Sequence, residues 1–338
     1  MTGKGGELIA ASKMPGKSEA FARLTEPFRR QIKSYCYRMV GSLQQAEDLT
    51  QESLLKAWNA FGQLENQGSI KRWLYQIATR VCLDALRQGK RRRRLLPEGE
   101  FSPATSQPDG GPAVDVGWLE PYPDSELDNI ADDAPGPDTR YEKREGIRLA
   151  FVAAIQYLPP RQRAVLLLID VLGWSPAETA SLVGGSVASI NSTLQRARAT
   201  LAQRYPSGRP GPRASITDSQ TALLGRYVRA WETQDIDGFV AILKADASFA
   251  MPPWRQWYLG PEAIAGFLAG IWRQCGRVRL LPTTANDQPA FVLYVENHVH
   301  SIHVLSLERD SIAAVTAFME PISSNIVQAF GLPVVLES

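Results

Sequence analysis

Apolar and polar positions repeat with a helical period through the first two-thirds of the chain and change character after that. Over residues 46–61, Ala46, Leu49, Ser53, Leu54, Ala57, Trp58 and Phe61 fall three and four apart, the stripe of a helix with one buried face. Glu47, Asp48, Gln51 and Glu52 occupy its other side. Over residues 70–86, Ile70, Leu74, Ile77, Ala78, Val81 and Ala85 form a second stripe. Arg72, Tyr75, Gln76, Thr79, Arg80 and Arg87 point away from it, and the pattern runs into Lys90-Arg91-Arg92-Arg93-Arg94. This first module reads as a small helical bundle with an acidic helix and a basic, partly aromatic one, which suggests two different partners.

A second helical pattern begins at Leu158-Pro159-Pro160 and buries Val165, Leu168 and Ile169 before Gly173 breaks it. Ser175-Pro176-Ala177-Glu178 then supplies a capping serine, a proline at the first helical position and a glutamate three residues after the cap. That short helix ends at Gly184-Gly185, and Ser186 caps the next. Its expected core side is Val187, Ile190, Leu194, Ala197 and Leu201, and Ala188, Ser189, Ser192, Gln195 and Arg196 point the opposite way. Two capped helices with a tight turn predict a helix-turn-helix. Small hydrogen-bonding side chains and an arginine on the free face suit a helix in the major groove.

The third module is mixed. Leu223, Tyr227, Ala230 and Trp231 mark one helix, Ile236, Phe239, Val240 and Leu243 a second, and Ile264, Phe267 and Leu268 a third. Strands are predicted over 247–251, 291–296, 301–307 and 312–318. Helices followed by antiparallel strands imply an α+β domain with a curved sheet.

At 338 residues the chain has room for two or three domains. Residues 97–140 are rich in Pro, Gly, Asp and Ser, and residues 206–212 carry Pro-Ser-Gly-Arg-Pro-Gly-Pro, where neither helix nor sheet continues. The expected units are 18–95, an acidic linker 96–140, 141–205 and 214–338. Net charge follows these units. Residues 1–95 hold 18 Lys and Arg against 8 Asp and Glu, and residues 141–213 hold 10 against 4. Residues 96–140 hold 1 against 11, and residues 214–338 hold 8 against 12. Two basic blocks separated by an acidic one point to two nucleic-acid-facing modules, with a neutral to acidic module behind them. No apolar run approaches the ~20 residues of a membrane helix. Three scattered cysteines without a C-x-x-C motif fit reduced thiols in the cytoplasm.

The Ala46-Glu47-Asp48-Leu49-Thr50-Gln51-Glu52-Ser53-Leu54-Leu55-Lys56-Ala57-Trp58 stretch resembles region two of bacterial sigma factors of the extracytoplasmic-function (ECF) type, the part that grips the polymerase clamp. The run Trp73-Leu74-Tyr75-Gln76-Ile77-Ala78-Thr79-Arg80-Val81 resembles the adjoining part that handles the −10 element, although Arg80 stands where the family usually has Asn. Leu158-Pro159-Pro160-Arg161-Gln162-Arg163-Ala164-Val165 and residues 189–198 resemble region four, which reads the −35 element. Tyr227-Val228-Arg229-Ala230-Trp231-Glu232, Phe249-Ala250-Met251-Pro252-Pro253 and residues 257–264 are similar to the SnoaL-like branch of the NTF2-like fold. An ECF subgroup carries such a tail, and Trp118-Leu119-Glu120-Pro121-Tyr122-Pro123-Asp124 in the linker resembles that subgroup as well.

The resemblance implies two all-α sigma domains, a helical bundle and a helix-turn-helix, followed by an α+β NTF2-like cone. It implies a non-enzymatic protein, monomeric when free, without a cofactor, whose partners are core RNA polymerase and promoter DNA and not a membrane. The polymerase contact is expected on Asp48, Gln51 and Glu52. The −10 contacts are expected on Glu65, Asn66, Gln67, Arg72, Tyr75, Gln76 and Arg80. The −35 contacts are expected on Ser189, Ser192, Gln195 and Arg196 at base edges or beside them, and Arg198 at phosphate. Trp254, Trp257, Tyr258 and Phe330 are read as an exposed docking surface or as pocket wall, leaving room for a small-molecule ligand in the cone. On strand parity His298 and His300 share one face and His303 takes the other. The alternative is an NTF2-like enzyme or ligand sensor fused to DNA-binding modules.

Overall fold

The computed structural model describes residues 15–63, 70–88, 93–108, 110–127, 147–205 and 216–337. The first module is three packed helices, α1 (Pro15–Val40), α2 (Leu43–Ala60) and α3 (Ile70–Arg87). Ser42 caps α2 by accepting from the Gln45 amide. The second module holds α4 (Leu149–Ile155), α5 (Pro160–Leu166), a π-helical turn (Leu167–Val171), α6 (Pro176–Val183) and α7 (Val187–Arg204). Ser175 and Glu178 close the expected capping box on α6, and Ser186 caps α7 through the Ser189 amide. Val187 departs from the expected core side and is 45% exposed. It stands in the first turn of α7, before the helix meets its neighbours.

The third module packs α8 (Asp218–Thr233), α9 (Ile236–Val240) and α10 (Pro261–Trp272) on a six-stranded sheet. Its strands are β1 (Leu243–Ala250), β2 (Trp257–Leu259), β3 (Val278–Ala285), β4 (Gln288–Val295), β5 (His298–Glu308) and β6 (Ser311–Met319), in the order β2-β1-β6-β5-β4-β3. All neighbours run antiparallel except β1 and β6, which are parallel. The sheet is open, with β2 and β3 at its edges. These are the two strands the sequence pattern does not predict. One is three residues long, and the other carries Pro282, which an edge position tolerates. A short α11 (Ile322–Ile326) follows against β5.

The sheet has two apolar faces. Tyr227, Trp231, Phe249, Phe267 and Val315 build a core between it and α8–α10. Val292, Ile302, Phe318, Ile326 and Phe330 on the opposite side belong to one continuous core with the helices of both sigma-like modules. The three modules are therefore packed together.

Two polar devices hold that packing. Arg163 of α5 is 3% exposed and reaches the last turn of α1, where it donates to the Met39 carbonyl. It also donates to Gln156 Oε1 at 2.6 Å, to Gln156 O at 2.8 Å and to Leu158 O at 3.2 Å. A helix C-terminus with free carbonyls suits a cation. Burial still pushes the guanidinium down to about 9. Gln156 completes the seam by donating to Arg38 O at 3.0 Å.

The second device is the turn between β3 and β4. Asn286 and Asp287 both have φ of 56°, the two-residue hairpin geometry that asparagine and aspartate tolerate best after glycine. Asn286 is fully buried. Its amide and side-chain oxygen pair with the backbone of Tyr122, both at 2.8 Å. Its Nδ2 donates to Tyr37 Oη at 3.0 Å and to Ile147 O at 2.7 Å. Asp287 N donates to Asp124 Oδ1, and Gln288 Oε1 accepts from Leu149 N at the start of α4. One hairpin tip thus touches α1, the linker and the second module.

Replacing Arg163 by Ala leaves the Met39 and Leu158 carbonyls buried without their donor. Denaturant unfolding should show a loss of about 3 kcal/mol. Arg163→Lys should recover only part of this, because a single ammonium cannot reach every acceptor of the fork.

Candidate functional site

On α2, Asp48, Gln51 and Glu52 are all exposed and lie on one face. Glu52 pairs with Lys56 at 2.9 Å. Glu47 is turned inward to Arg29 and Lys33. Leu55, which the sequence reading passed over, is 54% exposed one turn along the same face. The result is an acidic patch around an exposed leucine, a surface able to take arginine side chains beside an apolar contact.

The α3 face is different. Arg72 and Arg80 are exposed and Gln76 half-buried, but Tyr75 is 1% exposed. Its ring stands edge-on to Tyr35 at 5.4 Å and to Trp174 of the second module at 5.7 Å. Tyr75 is thus part of the core and not of the outward face, because a neighbour from the second module roofs it. Arg72 Nη1 lies 3.7 Å from Glu178 Oε1 of α6. Arg72, Trp73 and Gln76 share a cleft with Ser181 and Leu182 of α6, and Arg80 shares another with residues 181–184. The side of α3 expected to follow a DNA strand therefore faces the helix-turn-helix. Glu65, Asn66 and Gln67 lie outside the described residues.

Along α7, Ser189, Ser192, Gln195 and Arg196 are exposed. The Ser189 hydroxyl is turned back onto Ser186 O at 2.8 Å, and Arg196 reaches Thr193 Oγ1 at 3.3 Å. Arg198 is held by Asp170 through Nε at 2.9 Å and Nη2 at 2.6 Å, a two-pronged bond from α7 to the π-helical turn. That acidic partner, 28 residues away in sequence, raises the guanidinium further above its ordinary value.

The linker is bound along most of its described length. Leu95 pairs with the backbone of Gly117 and Leu119. Glu120 takes the α2 start through Leu43 N at 2.8 Å and Ser42 Oγ at 3.0 Å, and lies 3.5 Å from Arg94. Glu126 pairs with Lys33 at 2.9 Å. Two of the aromatics read as a docking surface, Trp257 and Tyr258, are occupied by this same segment. Trp257 Nε1 donates to Phe101 O and Tyr258 Oη to Ser106 O, both at 2.8 Å, and Tyr258 is 1% exposed. Trp254 is half-buried. Phe330 is 9% exposed and belongs to the core behind the sheet. Tyr258 and Phe330 are therefore not exposed docking groups: the chain covers both itself.

Inside the cone a bulge changes the parity of β5. Leu293 faces Ser301 and Tyr294 faces Val299, so His300 is the extra residue. The expected pairing of His298 with His300 is lost: His300, Ser301 and His303 all line the cavity, and His298 is exposed. His303 is fully enclosed, with Tyr227 Oη at 2.7 Å from Nδ1 and Ser301 Oγ at 2.8 Å from Nε2. Burial pushes its imidazole down to about 3. Among the described residues no cluster of three His, Cys, Asp or Glu side chains could hold a metal ion, and no helix is long and apolar enough to cross a membrane.

Sequence-family comparison matches residues 24–92 to Sigma-70 region 2, residues 148–201 to Sigma-70 region 4 and residues 224–320 to the SnoaL-like domain. The chain is 44% identical to the ECF RNA polymerase sigma factor SigG of Mycobacterium tuberculosis, over 93% of this chain and 84% of that one. It is 26% identical to SigJ of the same organism over 74% of this chain and 73% of the relative. The crystal structure of M. tuberculosis SigJ superposes with a TM-score of 0.58 at 20% identity, covering 94% of this chain and 99% of that one, and so shares the fold.

The buried histidine makes stability depend on pH. The unfolded chain takes up a proton below about 6.5, whereas folded His303 stays neutral down to about 3, so stability is lost as pH falls through that window. From pH 7 to pH 5 the loss is about 2 kcal/mol. Urea unfolding at the two pH values should show this fall in the native protein, and a fall smaller by that amount in His303→Gln.

Proposed function

This chain belongs to the ECF RNA polymerase sigma factors, and we propose that its SnoaL-like domain holds it in a closed form from which polymerase releases it. As a sigma factor it binds core RNA polymerase and directs it to promoters, acting in the cytoplasm. The working units are 18–95 for the clamp and the −10 element, 141–205 for the −35 element and 214–338 for control, joined by 96–140. Asp48, Gln51 and Glu52, with Leu55 between them, meet the clamp. Arg72, Gln76 and Arg80, with Glu65, Asn66 and Gln67, handle the melted strand. Cations along the backbone and polar groups at base edges suit that task. Ser189, Ser192, Gln195 and Arg196 face the −35 groove, and Arg198 keeps α7 aligned on Asp170.

The observation that carries the closed form is the Asn286 turn, which ties α1, the linker and the start of the second module to one hairpin. In the same arrangement α6 faces the DNA side of α3. Reading two promoter elements needs the two basic modules about one helical turn of DNA or more apart, ~34 Å, so the packed modules must separate. The SnoaL-like unit acts by binding and not by chemistry. Among the described residues its cavity wall has no carboxylate, lysine or arginine, and both nitrogens of His303 are already engaged.

Two outcomes are expected. Asp48→Arg with Gln51→Ala abolishes co-purification with core polymerase while the melting curve is unchanged, and normal co-purification would refute the clamp assignment. Asn286→Ala raises promoter-directed transcription by core polymerase in vitro several-fold. Tyr37→Phe, which removes the bond from the α1 side without touching the turn, moves transcription the same way. Unchanged transcription in both variants would refute the closed form.

A further inference from the structure

The cone encloses about 200 Å³. Its wall is almost wholly apolar, with Trp231, Phe249, Trp254, Phe267 and Met319 among its members. The polar groups are few and grouped. His300, Ser301 and His303 sit side by side because of the β5 bulge. Trp231, 4% exposed, carries an indole N–H beside the Tyr227 hydroxyl, with no acceptor at full hydrogen-bond geometry. A buried donor without a partner costs free energy, and a ligand acceptor would recover it.

One further wall residue is not part of the SnoaL-like fold. Pro108 comes from the linker between the two sigma modules. The strand of chain leading to it is fastened across the cone by Ala104 N to Trp257 O at 2.7 Å, by the Tyr258 hydroxyl on Ser106 O and by Gln107. Gln107 Nε2 donates to Gly266 O at 2.9 Å and Phe267 O at 3.2 Å, and its amide lies over Gly270, where a Cβ would strike it. The strap is held by a few hydrogen bonds, those of Gln107 nearest solvent, with Ala104 packed on the core, and such a segment opens locally at lower cost than a helix or strand.

We propose that the cone is a receptor site for a neutral, mostly apolar aromatic molecule bearing one hydroxyl or carbonyl group, and that an occupant larger than one ring displaces the linker strap at residues 101–108. Among the described residues no charged side chain lines the wall, and an apolar wall selects neutrality. The aromatic wall selects a flat apolar body. Trp231 N–H and the Ser301–His300 pair select the single polar group. Size gives the coupling. A dry cavity of about 150 Å³ accepts a benzene ring, and sites for larger ligands run from about 300 Å³ upward. A two-ring molecule therefore needs more room than this cavity offers, and the wall segment that comes from outside the SnoaL-like domain, tied mainly by hydrogen bonds, is the strap. Because the strap continues into the linker that caps α2 and meets Asn286, occupancy would be felt by the sigma modules; by linkage, a looser strap must favour the ligand.

The test uses the free full-length protein and 2-naphthol, so it is read without polymerase and stands apart from the closed-form experiment. Tryptophan fluorescence should report saturable binding at one site. Hydrogen exchange in peptides covering residues 101–108 should rise on binding. Met319→Trp, which fills the cavity, should weaken binding at least tenfold. If that variant does not fold, Ala317→Leu fills the same space from the neighbouring strand position. Gly270→Ala, which pushes Gln107 off α10 without disturbing the helix, should tighten binding roughly fivefold, the equivalent of one hydrogen bond. Absence of saturable binding, or equal binding by the filled variants, would overturn the site. Binding with unchanged exchange in 101–108 and unchanged affinity in Gly270→Ala would overturn the strap.

Discussion

A single buried side-chain amide, that of Asn286, is the point on which the arrangement of this molecule turns. It is wholly enclosed, so each of its hydrogen-bonding atoms must find a partner inside the protein. Those partners are Tyr37 on α1, Tyr122 in the linker and Ile147 at the start of the second module. No two of these are near in sequence. Satisfying one amide fixes three segments at once, and losing any one segment leaves the amide unpaired. The buried Arg163 does comparable work at the seam between the helical modules, where three backbone carbonyls and the Gln156 side-chain oxygen are its acceptors and no carboxylate among the described residues balances it. Both contacts are strong while water is excluded and weak once it enters, which suits the opening proposed for this interface.

The acidic segment between the modules illustrates how composition and behaviour part company. By composition it is a polar chain with too few apolar residues for a core, and as a free coil it would span roughly 35–40 Å. In the folded molecule its described parts are fastened by borrowed contacts: Glu120 on the α2 start, Glu126 on Lys33, Asp115 on Arg255 and the Ala113 amide on the Pro253 carbonyl. The excess of acid is used partly as intended by a reading of complementary charge, since Glu120 and Glu126 lie on cations of the first module. Much of the rest of the binding uses the linker's backbone as donor or acceptor, as at Phe101 O, Ala104 N, Ser106 O and Tyr122 N, which no charge count reveals.

Much of the fold was legible in sequence, because helical periodicity and capping are local. The capping box at Ser175 and Glu178, the α2 and α3 stripes and the outward side of α7 needed only neighbours a few residues away. What was missed depended on distant partners. Tyr75 lies on the outward side of an α3 wheel and is buried between Tyr35 of α1 and Trp174 of the second module. Arg198 looks like a free cation until Asp170 is brought beside it. Tyr258 and Phe330 look like exposed aromatics until the linker and the sheet cover them. Strand parity placed His303 opposite His300, and one bulged residue in β5 put them in the same cavity. The first helix, Pro15–Val40, was passed over because it carries no motif and contains Pro27.

One geometric asymmetry has a temporal meaning. The acidic face of α2 lies open to solvent, whereas the DNA side of α3 is turned toward α6. On the proposed assignment the face for the enzyme is open in this arrangement, the α3 face for the melted strand is partly covered by α6, and the outward side of α7 stays exposed. An order of events follows from that assignment: polymerase is met first, and the melted strand is engaged once α6 has moved off α3.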